Sequence, residues 1–246
     1  MVTAWAGRRP RRGRNDPAQY DDLADQWWPP YAAFSALRWL AAARGALVPP
    51  APAAGAALLD VACGAGLLAP HLPAGWRHVG VDLSVAALDQ ARDHAVTPVR
   101  ADAMRLPFRD GEFGCVVAGE CLEHLADLPA ACAEIARVLA PGGVLVLDTI
   151  ARSMFSRVVL IALAERLPGG PPPRCHDPAL LVDRAVLRRS LRAAGVELEP
   201  LTGLRPSIPD YLGWLARRRP HVHMVPVRST AGVVQARGRK LQVARW

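Results

Sequence analysis

Three short apolar segments, each running into an aspartate and each followed by a turn or a helix signal, constrain this chain more than any other feature. Residues 56–61 carry Asp60 near their end, 78–81 run into Asp82, and 98–101 run into Asp102. Segments this short that are nearly all apolar, rather than apolar at alternate positions, fit strands buried on both faces. Helical signals separate them. A short helix is expected over 67–72, and Ser84 is a good N-cap for a helix through Ala95. A fourth strand follows at 113–118, a helix at 125–139 stopped by Pro141, Gly142 and Gly143, and a fifth strand at 144–149. This alternation predicts an α/β fold with a Rossmann-like parallel sheet and helices on both faces.

Around that core the signals are less regular. Residues 17–47 predict one or two helices broken at Pro29 and Pro30, with Trp27, Trp28, Phe34, Leu37 and Leu40 as apolar contacts. The Pro- and Ala-rich stretch 48–55 reads as a linker. After the fifth strand come an apolar helix over 153–167, a Pro-rich loop over 168–178, a helix over 183–194, and strands at 196–201 and 233–236. A chain of 246 residues suits one domain of this kind. The expected division is a disordered basic tail over 1–15 and one domain over 16–240. Within that domain a helical cap spans 16–48, a cofactor-binding core 56–150 and a substrate-side region 151–220.

Charge narrows the partners. The formal net charge is +8, yet residues 1–14 and 217–246 together hold 13 of the 30 basic residues and no acid. Between them 17 basic residues face 22 acidic ones, so the body is mildly acidic and no nucleic-acid cleft is expected through it. The run Arg8, Arg9, Arg11, Arg12, Arg14 reads as a solvated tail, with attraction to an anionic membrane as the sharper alternative. The residues after it, Asn15 and Asp16 among them, lack the apolar core of a signal peptide. The stretch 155–167 is interrupted by Arg157, Glu165 and Arg166 and is too short to span a bilayer. Five cysteines, at 63, 115, 121, 132 and 175, show no zinc or disulfide spacing. Reduced thiols and a cytoplasmic location are the expectation.

Ligands of open α/β sheets bind beyond the carboxyl ends of the strands, where Asp60, Asp82 and Asp102 fall. In the turn after the first strand, Gly64 and Gly66 permit a tight bend and close approach of backbone to ligand. Residues 64–69 also match the G-x-G-x-x-A pattern of dinucleotide sites, a weak signal alone. The carboxylate of Asp60 just before the turn disfavours a pyrophosphate and favours a cation. S-adenosylmethionine carries an ammonium, a sulfonium and a small carboxylate but no phosphate, and so suits this turn better. Asp82 is placed to accept from ribose hydroxyls, which NAD would also require, and Asp102 from an adenine amino group.

The fourth strand ends in Gly119-Glu120-Cys121-Leu122-Glu123-His124. Two carboxylates and an imidazole at the mouth of that crevice suit a hard divalent ion with positions left for a catechol. Alternatively, His124 takes a phenolic proton as general base. The plainer reading is that Glu123 and His124 begin the next helix, where acids are favoured by the dipole.

At this point the chain resembles the class I S-adenosylmethionine-dependent methyltransferases. Residues 58–66 resemble the first motif, with Ala62 where a Gly is common; Gly80-Val81-Asp82-Leu83-Ser84, Leu106-Pro107-Phe108 and 139–143 resemble later ones. The resemblance implies a seven-stranded sheet whose last strand is antiparallel. It also implies a cofactor site built from Asp60, Ala62, Gly64 and Gly66, then Asp82 and Leu83, then Asp102 and Ala103, with Gly119 on the fourth strand. Glu120-Cys121-Leu122-Glu123-His124, with Trp27-Trp28 upstream and Thr149-Ile150-Ala151-Arg152 downstream, is similar to the ubiquinone-biosynthesis O-methyltransferases. Later pieces also align: Leu167-Pro168-Gly169, His176-Asp177 and Thr202-Gly203-Leu204. That family methylates a hydroxyl of a polyprenylated catechol or hydroquinone. It associates Glu120, Glu123 and His124 with a divalent metal such as Mg2+, and the apolar helix and loop over 153–170 with a lipid-facing substrate path and peripheral membrane contact. Trp28, Arg152 and His176 are the substrate-side candidates.

Three departures fall on the substrate side. Ala151 stands where the family has Asn, Gly170-Pro171-Pro172-Pro173 are inserted before His176, and Arg205-Pro206-Ser207 replace Tyr-Asn-Pro. The expected activity is O-methylation of a phenolic, catechol-like, lipophilic small molecule. The alternatives are C- or N-methylation, a nicotinamide-dependent oxidoreductase, and an inactive cofactor-binding protein.

Overall fold

The computed structural model describes residues 12–242. Its sheet contains nine strands: β1 (Ala56–Val61), β2 (Trp76–Asp82), β3 (Thr97–Arg100), β4 (Phe113–Gly119), β5 (Leu139–Ile150), β6 (Val196–Leu198), β7 (Thr202–Pro206), β8 (Met224–Val227) and β9 (Val233–Lys240). They lie in the order β3-β2-β1-β4-β5-β9-β7-β8, with β6 also paired to β9. The five strands from β3 to β5 are parallel to their neighbours, and β9 runs antiparallel to β5. This is the expected Rossmann-like order with an antiparallel last strand. Two strands exceed the expected seven. The sixth position is interrupted into β6 and β7, both paired to β9, and β8 folds back on β7 as a hairpin.

Because β2 lies on one side of β1 and β4 on the other, the strand order reverses between β1 and β4. A crevice opens there beyond the strand ends. Buried side chains fill both faces of these strands. Leu59, Val61, Val116 and Leu147 pack on one side, and Leu58, Val117 and Val146 on the other.

Six α-helices accompany the sheet: α1 (Ala18–Asp22), α2 (Ser35–Gly45), α3 (Val85–Asp93), α4 (Leu128–Val138), α5 (Arg184–Ala193) and α6 (Ile208–Leu215). Ser84 caps α3 as its sequence predicts, its side chain accepting from the Ala87 N–H. The helix expected from residue 125 starts only at Leu128, because Asp127 caps it through the Ala130 N–H. The preceding residues form a separate 3-10 turn, Leu122–His124, which holds two candidate site residues. Pro141-Gly142-Gly143 do not follow a helix end at a distance; β5 already begins at Leu139 and carries them. The apolar segment after β5 is wound as a π-helix over Ser156–Leu163 and a 3-10 turn over Ala164–Arg166.

The expected tail over 1–15 is corrected in part. Residues 1–11, with Arg8, Arg9 and Arg11, lie outside the described residues. Arg12, however, pairs with Asp22 at 2.7 Å, Arg14 donates to the carbonyl of His176 at 2.9 Å, and Asn15 donates to the carbonyl of His124 at 2.9 Å. The strand expected at 233–236 forms as β9, which carries Arg237, Arg239 and Lys240, and Lys240 Nζ donates to the carbonyls of Ala136 and Leu139. All five cysteines are free and buried. Among the described residues, no helix is long and apolar enough to cross a membrane.

Candidate active site

A cavity of about 650 Å³ occupies the crevice, roofed by the N-terminal helices and by the segment after β5. The chain leaves β1 through three left-handed residues, Ala62 (φ 56°), Gly64 (φ 52°) and Gly66 (φ 79°). The carboxylate of Asp82, at the end of β2, accepts from the N–H groups of Gly64 at 2.8 Å and Ser84 at 2.9 Å. It thereby ties the first turn to the second strand end. Burial raises the Asp82 carboxyl above its ordinary value, an effect those N–H bonds partly offset. Asp60 is buried, with Oδ2 3.3 Å from His78 Nε2.

Of the nine expected cofactor residues, Asp60, Ala62, Gly64, Asp82, Leu83, Asp102, Ala103 and Gly119 line the cavity. Gly66 does not. A Cβ there would stand 3.0 Å from Val96 and 3.2 Å from Ala91, so Gly66 serves close packing between the turn and α3.

The end of β4 is built around a buried ion pair. Arg44 of α2 donates from Nε and a terminal nitrogen to the two oxygens of Asp148, at 2.7 and 2.8 Å. Gly119 makes room for it: a Cβ at that position would lie 1.8 Å from the guanidinium carbon. Burial opposes the Arg44 charge, yet the carboxylates of Asp148, Asp60 and Glu120 more than compensate and hold it protonated. Glu120 adopts a left-handed φ of 47°, and its N–H donates to Asp148 at 2.9 Å. Its carboxyl is raised well above the usual range by burial, then by the charges of Glu123 and Asp148.

Glu123 sits deeper, and His124 follows it. Glu123 is fully buried and accepts from the Thr149 hydroxyl at 2.6 Å through Oε2, while Oε1 has no protein partner. Its carboxyl is raised, chiefly by burial. His124 Nδ1 meets Asn15 Oδ1 at 2.5 Å, and Nε2 meets the Tyr20 hydroxyl at 3.3 Å. With Nδ1–H donating to Asn15 and Nε2 accepting from Tyr20, the ring is the neutral tautomer. Burial, and then the neighbouring His176, lower its pKa to about 3. The two imidazoles stack with centroids 5.1 Å apart.

These positions correct the expected metal set. Glu123, His124 and His176 bring ligand atoms within 4.8 Å of one another, and Glu120 is not among them. Glu120 is turned toward the Arg44–Asp148 pair instead. His176 lines the cavity as expected, but Trp28 and Arg152 do not. Trp28 stacks on His94 and donates from its indole to the Ala65 carbonyl, while Arg152 pairs with Asp183 at the surface. Trp27 takes the place expected of its neighbour and lies over Gly64. Sequence reasoning also missed Asn15, Tyr20 and Arg44. No motif marks them, because each reaches the site through tertiary packing of the cap.

The residues fit S-adenosylmethionine. The wall contains a buried acceptor without a protein partner, Glu120 Oε1, and a buried donor likewise open, Trp27 Nε1. An acceptor and a donor left open on residues that line the same cavity as Asp60 and Gly64 match a ligand bearing both an ammonium and a carboxylate. The same cavity also contains the imidazoles of His124 and His176.

A methyltransferase-domain family matches residues 59–147. The ubiquinone biosynthesis O-methyltransferase of Thiobacillus denitrificans is 35% identical over 196 residues, covering 76% of this chain and 84% of that protein. That of Azoarcus sp. is 32% identical over 214 residues, covering 77% and 86%. Among solved structures, a SAM-dependent methyltransferase from Thermotoga maritima shares the fold with a TM-score of 0.61 at 19% identity, covering 90% of this chain and 96% of that one. A chain from the complex of the Haloferax volcanii Trm112 activator with a methyltransferase gives 0.63 at 18% identity, covering 95% and 100%. Identity at this level, sustained across most of both proteins, means that the chain belongs to the ubiquinone biosynthesis O-methyltransferase family of S-adenosylmethionine-dependent methyltransferases.

Proposed function

We propose that this methyltransferase acts on the hydroxyl oxygen of a phenolic or catechol-like, lipophilic small molecule of the quinol type. One observation carries the reading: a stacked pair of imidazoles backed by a buried glutamate lies in a cavity whose other side is apolar. Phe155, Val159, Leu160, Leu167, Ile208 and Met224 supply that apolar side. A hydroxyl group meets the imidazoles, and a hydrocarbon substituent meets the apolar wall. Two of the departures from the family pattern, Pro171-Pro172 and Arg205-Pro206, also line the cavity. They shape the acceptor side for this chain.

When bound, S-adenosylmethionine supplies an electrophilic methyl group. The protein has to align the acceptor oxygen and relieve its proton. His124 is neutral and offers Nε2, which Tyr20 occupies in the structure, as an acceptor for the phenolic hydrogen. A ring held at about 3 by burial is too weak a base to take a phenolic proton outright. His124 therefore orients the oxygen and does not by itself ionise it. In place of that contact, with Nε2 released from Tyr20, Glu123, His124 and His176 would hold a divalent cation, which would supply positive charge for a phenolate oxygen. The unpartnered Glu123 Oε1 is the observation that fits such an ion. Peripheral membrane contact through residues 153–170 belongs to the same reading, since a prenylated acceptor resides in lipid.

The experiment is methyl transfer from labelled S-adenosylmethionine to short- and long-chain catechols, with and without Mg2+. O-methylated product is expected, with His176→Ala reducing turnover at least tenfold while donor affinity is retained. Product methylated at carbon or nitrogen, or His176→Ala turning over like wild type, overturns the proposal.

A further inference from the structure

Glu165, Cys175 and His176 form a cluster that the methyl-transfer reading uses only in part. All three are buried, with 7%, 4% and 5% of their surface exposed, and their ligand atoms lie within 4.8 Å of one another. Glu165 comes from the turn that ends the apolar segment, whereas Cys175 and His176 end the Pro-rich loop. The two oxygens of Glu165 have different surroundings. Oε2 accepts from the Arg174 N–H at 2.9 Å and lies 3.5 Å from Arg14. Oε1 is buried, has no hydrogen-bond partner, and faces His176 Nδ1 at 3.6 Å. Cys175 Sγ stands 3.2 Å from the same Nδ1. A carboxylate anchored through one oxygen with the other left open toward a thiol and an imidazole is the arrangement of an oriented metal ligand.

Distances support this. Tetrahedral zinc with bonds of about 2.3 Å to sulfur and about 2.0–2.1 Å to nitrogen and oxygen places sulfur and nitrogen about 3.6 Å apart and nitrogen and oxygen about 3.4 Å apart. The observed 3.2 and 3.6 Å need shifts of only a few tenths of an ångström.

We propose that Glu165 Oε1, Cys175 Sγ and His176 Nδ1 bind a borderline-soft divalent cation of the zinc class. This site shares His176 with the set Glu123, His124 and His176 but draws its other two ligands, Glu165 and Cys175, from the loop. On binding, the Cys175 S–H bond breaks, its proton passes to solvent and the thiolate pair forms the metal–sulfur bond. Sulfur selects zinc or cobalt over magnesium, which prefers oxygen ligands. Three protein ligands leave a fourth position for water, on the side where Cys175 and His176 line the cavity. The ion closes the loop from Glu165 to His176, which contributes Leu167, Gly169, Gly170, Pro171 and Pro172 to the cavity wall. It staples that wall and engages one ring nitrogen of His176, leaving the other free.

The test titrates the full apo chain with Co2+ and follows the thiolate-to-cobalt charge-transfer absorption in the near ultraviolet. One cobalt per chain, with a band that Zn2+ abolishes and Mg2+ does not, is expected. Cys175→Ser should lose the band, Glu165→Gln should weaken cobalt binding at least tenfold, and Glu123→Gln should keep the band. No band in the wild-type chain, or a band that survives Cys175→Ser, overturns the proposal. Should Cys175→Ser not fold, unchanged cobalt affinity in Glu165→Gln overturns it equally. The readout is spectroscopic, so it stands apart from whether the acceptor is a phenol.

Discussion

His124 shows how one buried side chain shifts the behaviour of the whole chain with pH. Folding holds it neutral with a pKa of about 3, whereas an exposed histidine titrates near 6.5. The unfolded state therefore takes up the proton first. The stability that neutral His124 contributes is complete above about pH 6.5 and is lost progressively as pH falls toward 3, by about 1.4 kcal/mol per unit. Urea denaturation at pH 7.5 and 5.5 should show the wild-type chain losing about 1 kcal/mol more than His124→Gln. Ala62 makes a second case. Its φ of 56° carries a left-handed cost of about 1–2 kcal/mol, against about 0.4–1 kcal/mol for the extra freedom of a glycine in the unfolded chain. Ala62→Gly should raise stability by about 0.5–1 kcal/mol in the same assay. The residue type at 62 was legible as unusual; its strain was visible only as a dihedral angle.

Elements marked by a clear run or cap formed close to where the sequence put them, whereas the short helix expected over 67–72 is only a 3-10 turn, Ala69–His71. The strands ending at Asp82 and Gly119 and the helix capped by Ser84 follow from runs and caps within a few residues. The turn Leu122–His124 was hidden because Asp127 competes successfully as the cap of α4. The hairpin of β7 and β8 was hidden because Pro206 and Pro226 interrupt the strand pattern. Helix α2 is docked on the sheet by Arg44, whose partner Asp148 is 104 residues away in β5 and fully buried. Replacing only the cation leaves that carboxylate uncompensated, so Arg44→Met should cost about 3–5 kcal/mol by chemical denaturation. Gly119→Ala should cost a comparable amount, because its Cβ would occupy the guanidinium position.

For the molecule as a whole, the distribution of apolar surface is the feature that bears on the acceptor. Met154 and Val158 after β5, at 72% and 54% exposure, and Ile208 and Leu212 on α6, at 55% and 58%, are solvent-exposed. Their elements both reach the cavity, through Phe155 and Leu160 on one side and Ile208 and Tyr211 on the other. Exposed Arg157, Arg166 and Arg205 stand near this rim in the chain. An apolar rim accompanied by cations suits the surface of an anionic bilayer. The double variant Met154→Asp/Leu212→Asp should lower sedimentation with vesicles containing phosphatidylglycerol at least fivefold. Affinity for S-adenosylmethionine should not change, since neither side chain lines the cavity.

What the sequence alone determined was local and periodic: apolar strands, an acid at each strand end, a glycine turn and a cap. These depend on neighbours a few residues away, so reading along the chain finds the sheet and the cofactor side. What only the tertiary structure decided was which partners close the acceptor side. Asn15 comes from the segment before the cap, Tyr20 and Arg44 from the cap, and His176 from a loop more than fifty residues past His124. Their role depends on desolvation and on distances between remote segments, and those quantities exist only once the chain has folded.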